Sequence, residues 1–223
     1  MLLAIAAGCN DAPSAENNAP VAAPAPTSAP APTPPQRDTR KAILFVGTSL
    51  TAGYGIGAEF AYPAIIQQKL DSARLPYRVV NAGISGETSA GGLRRIDWSL
   101  QQPIDVLVLE LGANDALRGL SIDSMKSNLD SIIQRARAKY PDVKIVVAGM
   151  EAPPNLGSSY TTRFRSAFEE VAKENDAVLV PFLLEGVGGR RELNQEDGMH
   201  PTAAGQRILA ANVWTHLRPL LGS

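Results

Sequence analysis

Asp105-Val106-Leu107-Val108-Leu109-Glu110 sets four apolar residues side by side between two acids. A strand with one wet face alternates apolar and polar side chains, whereas a strand covered on both faces reads as an unbroken apolar run. Ile145-Val146-Val147-Ala148, after Lys144, has the same character. These runs are too short for helices, and they predict central strands of a parallel sheet at Asp105 to Glu110 and Lys144 to Ala148. Similar β-branched or apolar runs predict strands at Ala42 to Val46, Tyr77 to Asn81 and Ala177 to Pro181. Segments of helical period separate them. Ile122, Met125, Leu129, Ile132, Ile133 and Ala136 recur at steps of three and four, with Ser121 or Asp123 as a cap, and Tyr160, Phe164, Phe168 and Val171 form a second stripe. A closing helix is expected from Pro201, at a first-turn position, to about Leu217, ahead of Pro219. The fold class is therefore α/β: a three-layer α/β/α sandwich around a five-stranded parallel sheet, flavodoxin-like in topology.

The chain has 223 residues, of which 44% are hydrophobic, enough for one sizeable core. Its net charge of −1 comes without any basic run, so no field for nucleic acid exists and a small molecule is the expected partner. One Cys rules out an internal disulfide, and with two His it leaves little from which to build a metal site. No metal or cofactor is expected.

That Cys has an informative neighbourhood. Met1 to Ala7 is nearly all apolar and runs into Ala6-Ala7-Gly8-Cys9. The segment resembles a bacterial lipoprotein signal with its lipobox, with Ala6 where Leu is usual, and it is too short to span a bilayer, which takes ~20 apolar residues. The resemblance implies that residues 1–9 are signal and anchor, with lipid on Cys9 tying the protein to a membrane of the bacterial cell envelope, periplasmic or membrane-anchored. Residues 10–38 are rich in Ala and Pro with almost no large apolar side chain, and they are expected to form a disordered tether. At ~3.1 Å per residue the stretch from Cys9 to Gln36 would reach up to roughly 80 Å from a bilayer. Residues 39–223 are read as one folded domain, acting as a monomer.

Ligands of open parallel sheets bind beyond the carboxyl ends of the strands. Gly47-Thr48-Ser49-Leu50 follows the first strand, Ala82-Gly83-Ile84-Ser85-Gly86 the second, Gly112-Ala113-Asn114-Asp115 the third, and Asp197-Gly198-Met199-His200-Pro201 lies beyond the fifth. A hydroxyl, a glycine turn, a carboxamide and a carboxylate–imidazole pair converge on one edge, which is the equipment of acyl transfer. No Gly-x-Ser-x-Gly elbow is present, which disfavours the α/β-hydrolase fold.

In order and spacing these four blocks resemble those of the SGNH (GDSL-type) hydrolases, and the chain looks closest to their thioesterase, lysophospholipase and arylesterase group. Ser49-Leu50-Thr51-Ala52-Gly53-Tyr54, Leu109-Glu110-Leu111-Gly112, Pro153-Pro154-Asn155 and Val180-Pro181-Phe182 extend the likeness, which covers the chain from about Ile43 to its end. The resemblance implies a catalytic set of Ser49 as nucleophile, His200 as base and Asp197 as its orienting acid. It also implies an oxyanion hole made by the N–H groups of Ser49 and Gly86 and the amide of Asn114, and a small acyl ester as substrate. Glycine at 86 permits close backbone approach or a positive φ. One residue departs from the family: the Asp of the Gly-Asp-Ser-Leu block is Thr48, which removes a carboxylate beside the nucleophile.

Each assignment has a plainer rival. Ser49 alone would read as a helix N-cap, Asn114 as an Asx turn and Asp197 as a solvated loop acid like Glu192 and Glu196. His216, inside the closing helix, reads as a packing or surface residue, and Asp115 as a brace for its loop. An acyl pocket is expected from Tyr54, Leu117, Pro153, Asn155 and Leu156, although these residues would also suit ordinary packing. A carbohydrate O-deacetylase would use the same catalytic set, and Thr48 is the one feature that points to a silent envelope binding module.

Overall fold

The computed structural model of the protein describes residues 38–222. Cys9 and all of the 10–38 segment except Asp38 lie outside these residues.

Five strands form one parallel sheet: β1 (Lys41–Gly47), β2 (Tyr77–Gly83), β3 (Val106–Glu110), β4 (Lys144–Ala148) and β5 (Val178–Val180), in the order β2-β1-β3-β4-β5. All residues of β3, and all of β1 and β4 after their leading Lys, are buried. This is the two-sided burial that unbroken apolar runs predict. The edge strands β2 and β5 are only partly covered.

Seven α-helices accompany the sheet among the described residues: α1 (Ser49–Ala52), α2 (Tyr62–Ser72), α3 (Ser89–Ser99), α4 (Ala113–Leu117), α5 (Ile122–Lys139), α6 (Ser158–Glu174) and α7 (Ala203–Leu217). Helix α5 packs against α3 and α6, and α2 packs against α7, giving the expected three layers. Met125, Leu129, Ile132, Ile133 and Ala136 are the buried stripe of α5, and the Ser121 hydroxyl caps it by accepting from the Ser124 N–H at 3.2 Å. On α6 the buried stripe includes Phe164, Phe168 and Val171. No helix among the described residues is long and apolar enough to cross a membrane.

Strand ends moved for specific reasons. Asp105 stands just outside β3 because its carboxylate accepts the Ala42 N–H at 3.0 Å. Strand β2 runs two residues further than expected, since Ala82 and Gly83 pair with Val46 and Gly47. Pro201 is not a first-turn residue of α7. It lies in an antiparallel bridge with Asn194, and Thr202 is the N-cap, its hydroxyl accepting from the Gly205 N–H at 3.3 Å.

Candidate active site

The segments that follow all five strands, at the carboxyl edge of the sheet, meet around one cavity. The parallel pairing of β1 with β2 and β3 ends these strands level with one another, at Gly47, Gly83 and Glu110. Ser49 is therefore presented directly beyond β1, as the first residue of α1.

The loop between Asn194 and Pro201 delivers the imidazole. His200 O accepts the Gln195 N–H at 2.7 Å, and the Gln195 side-chain amide donates to Pro201 O at 3.1 Å and to Tyr54 O at 2.8 Å. These bonds close the loop and fasten it to the chain just after α1. His200 Nε2 then lies 3.0 Å from Ser49 Oγ, and Nδ1 lies 2.6 Å from Asp197 Oδ2. Asp197 Oδ1 also accepts the N–H groups of His200 at 3.0 Å and Met199 at 2.9 Å.

Those contacts fix the protonation pattern. The His200 N–H first, then the imidazole and the Met199 N–H, stabilise the ionised carboxyl of Asp197 and lower its pKa from 3.8 to about 2. A carboxylate can only accept, so Nδ1 carries the proton and the lone pair of Nε2 faces the Ser49 hydroxyl. The arrangement can take a proton from Ser49 and stabilise the imidazolium that results.

Gly86 and Asn114 line the same cavity as Ser49 and His200. Gly86 has φ +77°, a region that side chains other than glycine rarely occupy, and its carbonyl is held by an Arg118 guanidinium N–H at 2.8 Å. Asn114 is the second residue of α4. Among the described residues neither the N–H of Ser49, the N–H of Gly86 nor the side-chain amide of Asn114 donates a hydrogen bond within the protein. All three residues line the one cavity.

The cavity holds about 460 Å³, within the range of small-molecule sites. Tyr54, Leu117 and Pro153 are among its walls, as expected. Asn155 and Leu156 are not: they sit on the 3-10 turn Pro154–Leu156, which leaves both exposed and contributes Pro154 instead. Met150, Leu184 and Met199 add to the apolar wall. Met199 was within reach of the sequence, since it precedes His200. Leu184 was not, because nothing local links it to the other loops. Asp115 is buried, and its carboxylate accepts the Ser89 N–H at 2.8 Å and hydroxyl at 2.6 Å. Among the described residues no group of three or more His, Cys, Asp or Glu side chains could hold a metal ion.

A five-stranded parallel α/β/α sandwich with a hydroxyl, an imidazole and a carboxylate in hydrogen-bonded series at this edge has the form of an SGNH hydrolase. Residues 45–208 match the GDSL-like lipase/acylhydrolase family, and the chain belongs to it. It is 42% identical over 187 residues to esterase TesA of Pseudomonas aeruginosa, covering 83% of this chain and 92% of that protein. It is 37% identical over 181 residues to thioesterase 1/protease 1/lysophospholipase L1 of Escherichia coli, covering 80% and 84%. The crystal structure of a TesA superposes with a TM-score of 0.78 at 42% identity, covering 81% of this chain and all of that one. The protein is a hydrolase that acts on esters.

Proposed function

We propose that the protein hydrolyses carboxylic esters through an acyl-serine intermediate, with Ser49 as nucleophile, His200 as general base and Asp197 as the group that orients and stabilises the imidazole. The hydrogen-bonded series Ser49 Oγ, His200 Nε2 and Nδ1, Asp197 Oδ2 carries the reading. His200 takes the hydroxyl proton as Oγ attacks the acyl carbon, and returns it to the leaving alkoxide or thiolate. Water, deprotonated by the same imidazole, then releases the acid. Charge on the carbonyl oxygen is met by the N–H groups of Ser49 and Gly86 and the amide of Asn114.

The apolar wall of Leu117, Met150, Pro153, Leu184 and Met199 supports an acyl chain in the pocket, rather than the polar surround that a carbohydrate acetyl ester needs. Arylesters and short to medium acyl esters are the proposed substrates, extending to acyl thioesters and lysophospholipids. The sequence Ala6-Ala7-Gly8-Cys9 supports a lipid anchor on Cys9 in the bacterial envelope. Release of the intact Cys9→Ser protein from membranes that retain the wild type is the expected result.

A fluorophosphonate should label Ser49, as read by mass spectrometry. Ser49→Ala and His200→Ala should each remove most activity on p-nitrophenyl esters, because members of such a set act as a unit. Asn114→Ala should lower kcat by ~10²–10³. Full activity in either Ser49→Ala or His200→Ala ends the assignment.

A further inference from the structure

The apolar run of β3 ends in a fully buried carboxylate, Glu110. Parallel pairing places it opposite Gly47, two residues before Ser49. Its Oε2 accepts the Thr48 N–H at 2.8 Å and the Thr51 hydroxyl at 2.7 Å, and its Oε1 accepts the Thr48 hydroxyl at 2.9 Å. The Tyr62 hydroxyl lies 2.8 Å from Thr51 Oγ1, and since that Thr proton goes to Glu110, Tyr62 is the donor. Thr48, Thr51 and Tyr62 are buried as completely as Glu110. A Cβ on residue 47 would come within 2.6 Å of Glu110 Oε2 and 2.0 Å of Thr51 Oγ1, so only glycine lets the strand pass this cluster.

Burying an acid is costly unless donors surround it, so this one has a structural task. Its burial pushes the carboxyl pKa up, while the hydrogen bonds from Thr48 and Thr51 oppose the shift. Thr48 is the N-cap residue of α1, and an N-cap hydroxyl ordinarily turns inward to accept an N–H of the first helical turn. Here it makes no such bond and donates to Glu110 instead. The residues that flank Ser49 and Leu50 are thus fastened from below, by three bonds to one carboxylate. Ser49 itself lines the cavity, with its hydroxyl 3.0 Å from His200 Nε2.

We infer that Glu110 is the positioning residue of the nucleophile turn, holding Thr48 and Thr51 so that Ser49 Oγ meets His200 Nε2 and the Ser49 N–H stays open to the oxyanion. The inference rests on Ser49 being the nucleophile. Glu110 touches no reacting atom and acts through the backbone of α1.

The test compares Glu110→Ala, Glu110→Gln and Thr48→Val in the full chain, with Ser49→Ala alongside. Alanine strands every donor of the cluster, whereas glutamine keeps the shape, offers an oxygen to the Thr48 N–H, and lets the hydroxyls rotate to meet its amide. A small displacement of a reacting group can cost ~10²-fold. Glu110→Ala should therefore lower kcat and the fluorophosphonate labelling rate by ~100-fold, with KM within about twofold, and Glu110→Gln should recover at least tenfold of the loss. Thr48→Val, which removes one bond of three, should lower kcat by roughly 3- to 10-fold at unchanged KM. Wild-type kcat in folded Glu110→Ala or in Thr48→Val overturns the inference, as does a glutamine variant no better than alanine. If Glu110→Ala does not fold, the glutamine and valine variants decide. An inactive Ser49→Ala beside fully active Glu110 and Thr48 variants removes this inference alone, while an active Ser49→Ala removes both readings.

Discussion

The ring of Tyr54 lies 4.6 Å from the imidazole of His200, centroid to centroid, with the planes inclined by 41°. The sequence suggested Tyr54 only as an acyl-pocket residue, yet it forms one wall of the cavity and a face of the base together. An aromatic pair of this kind is worth about 0.5–1.5 kcal/mol. Loss of the ring in Tyr54→Ala should therefore lower kcat/KM by roughly 2- to 12-fold. Tyr54→Phe keeps the contact and should stay within about twofold of wild type. Steady-state kinetics on one p-nitrophenyl ester separate the two, and equal losses in both variants would assign the effect to the hydroxyl.

Asp115 predicts a different kind of loss. Its carboxylate ties α4, which carries Asn114, to the first residue of α3, just beyond the turn that carries Gly86. Asn128 completes the brace by donating to the Ser89 hydroxyl at 2.9 Å. In Asp115→Ala the buried Ser89 N–H loses its acceptor, at a cost of ~1–3 kcal/mol. Gly86 and Asn114, the proposed oxyanion donors, would both shift relative to Ser49, so kcat should fall about tenfold with little change in KM. Urea unfolding and initial rates on the same samples check both effects. A destabilised variant with wild-type kcat would reduce Asp115 to a purely structural role.

The sheet was legible because its central strands are buried on both faces, and the unbroken runs Val106 to Leu109 and Ile145 to Ala148 carry that burial in their composition. The edges were less so. Pro181 was counted into β5, which stops at Val180. Ser49, Gly86, Asn114, Asp197 and His200 stand in loops or first helical turns that follow the strands, and their position at the carboxyl edge follows from strand order. The contacts that hold those loops are long-range, and no local pattern announces them. Gln195 meets Tyr54 across 141 positions, and Glu110 meets Thr48 across 62. Glu110 did leave one sign: a charge at the end of an otherwise apolar strand.

Thr48→Asp restores the acid of the family's Gly-Asp-Ser-Leu block and puts a carboxyl where the Thr48 hydroxyl now sits, 2.9 Å from Glu110 Oε1. Two carboxyls at that range do not both ionise, so the pair retains a proton and its upper pKa rises. Tyr62 is the other titratable group of the cluster, and its own pKa is held well above 10.0 by burial, with the Glu110 charge adding to the shift. A raised pKa in the fold means stability that is present at low pH and lost as pH rises through it. Thr48→Asp should therefore lose activity and thermal stability on the alkaline side, where the wild type has no such pair to ionise. Matched pH profiles of kcat and melting temperature test this, and superimposable profiles would show the second acid to be harmless.

Asp197 gives the opposite sign. Its carboxyl falls from 3.8 to about 2 because the His200 N–H, the imidazole and the Met199 N–H all donate to the ionised form. A pKa lowered in the fold contributes stability that is fully present above the unfolded value and disappears as pH falls through the folded one. Asp197→Asn keeps the size of the side chain but has no such ionisation. The gap in urea midpoint between wild type and Asp197→Asn should thus stay level from neutral pH down to about 4. It should close between about 3.8 and about 2. Activity should separate from stability at neutral pH: an amide at 197 can offer its N–H to Nδ1, which would leave the proton on Nε2, facing Ser49, and cost ~10⁴ in kcat. A gap already closing near neutrality, or an asparagine variant with wild-type kcat, would show that the carboxylate does not govern the imidazole.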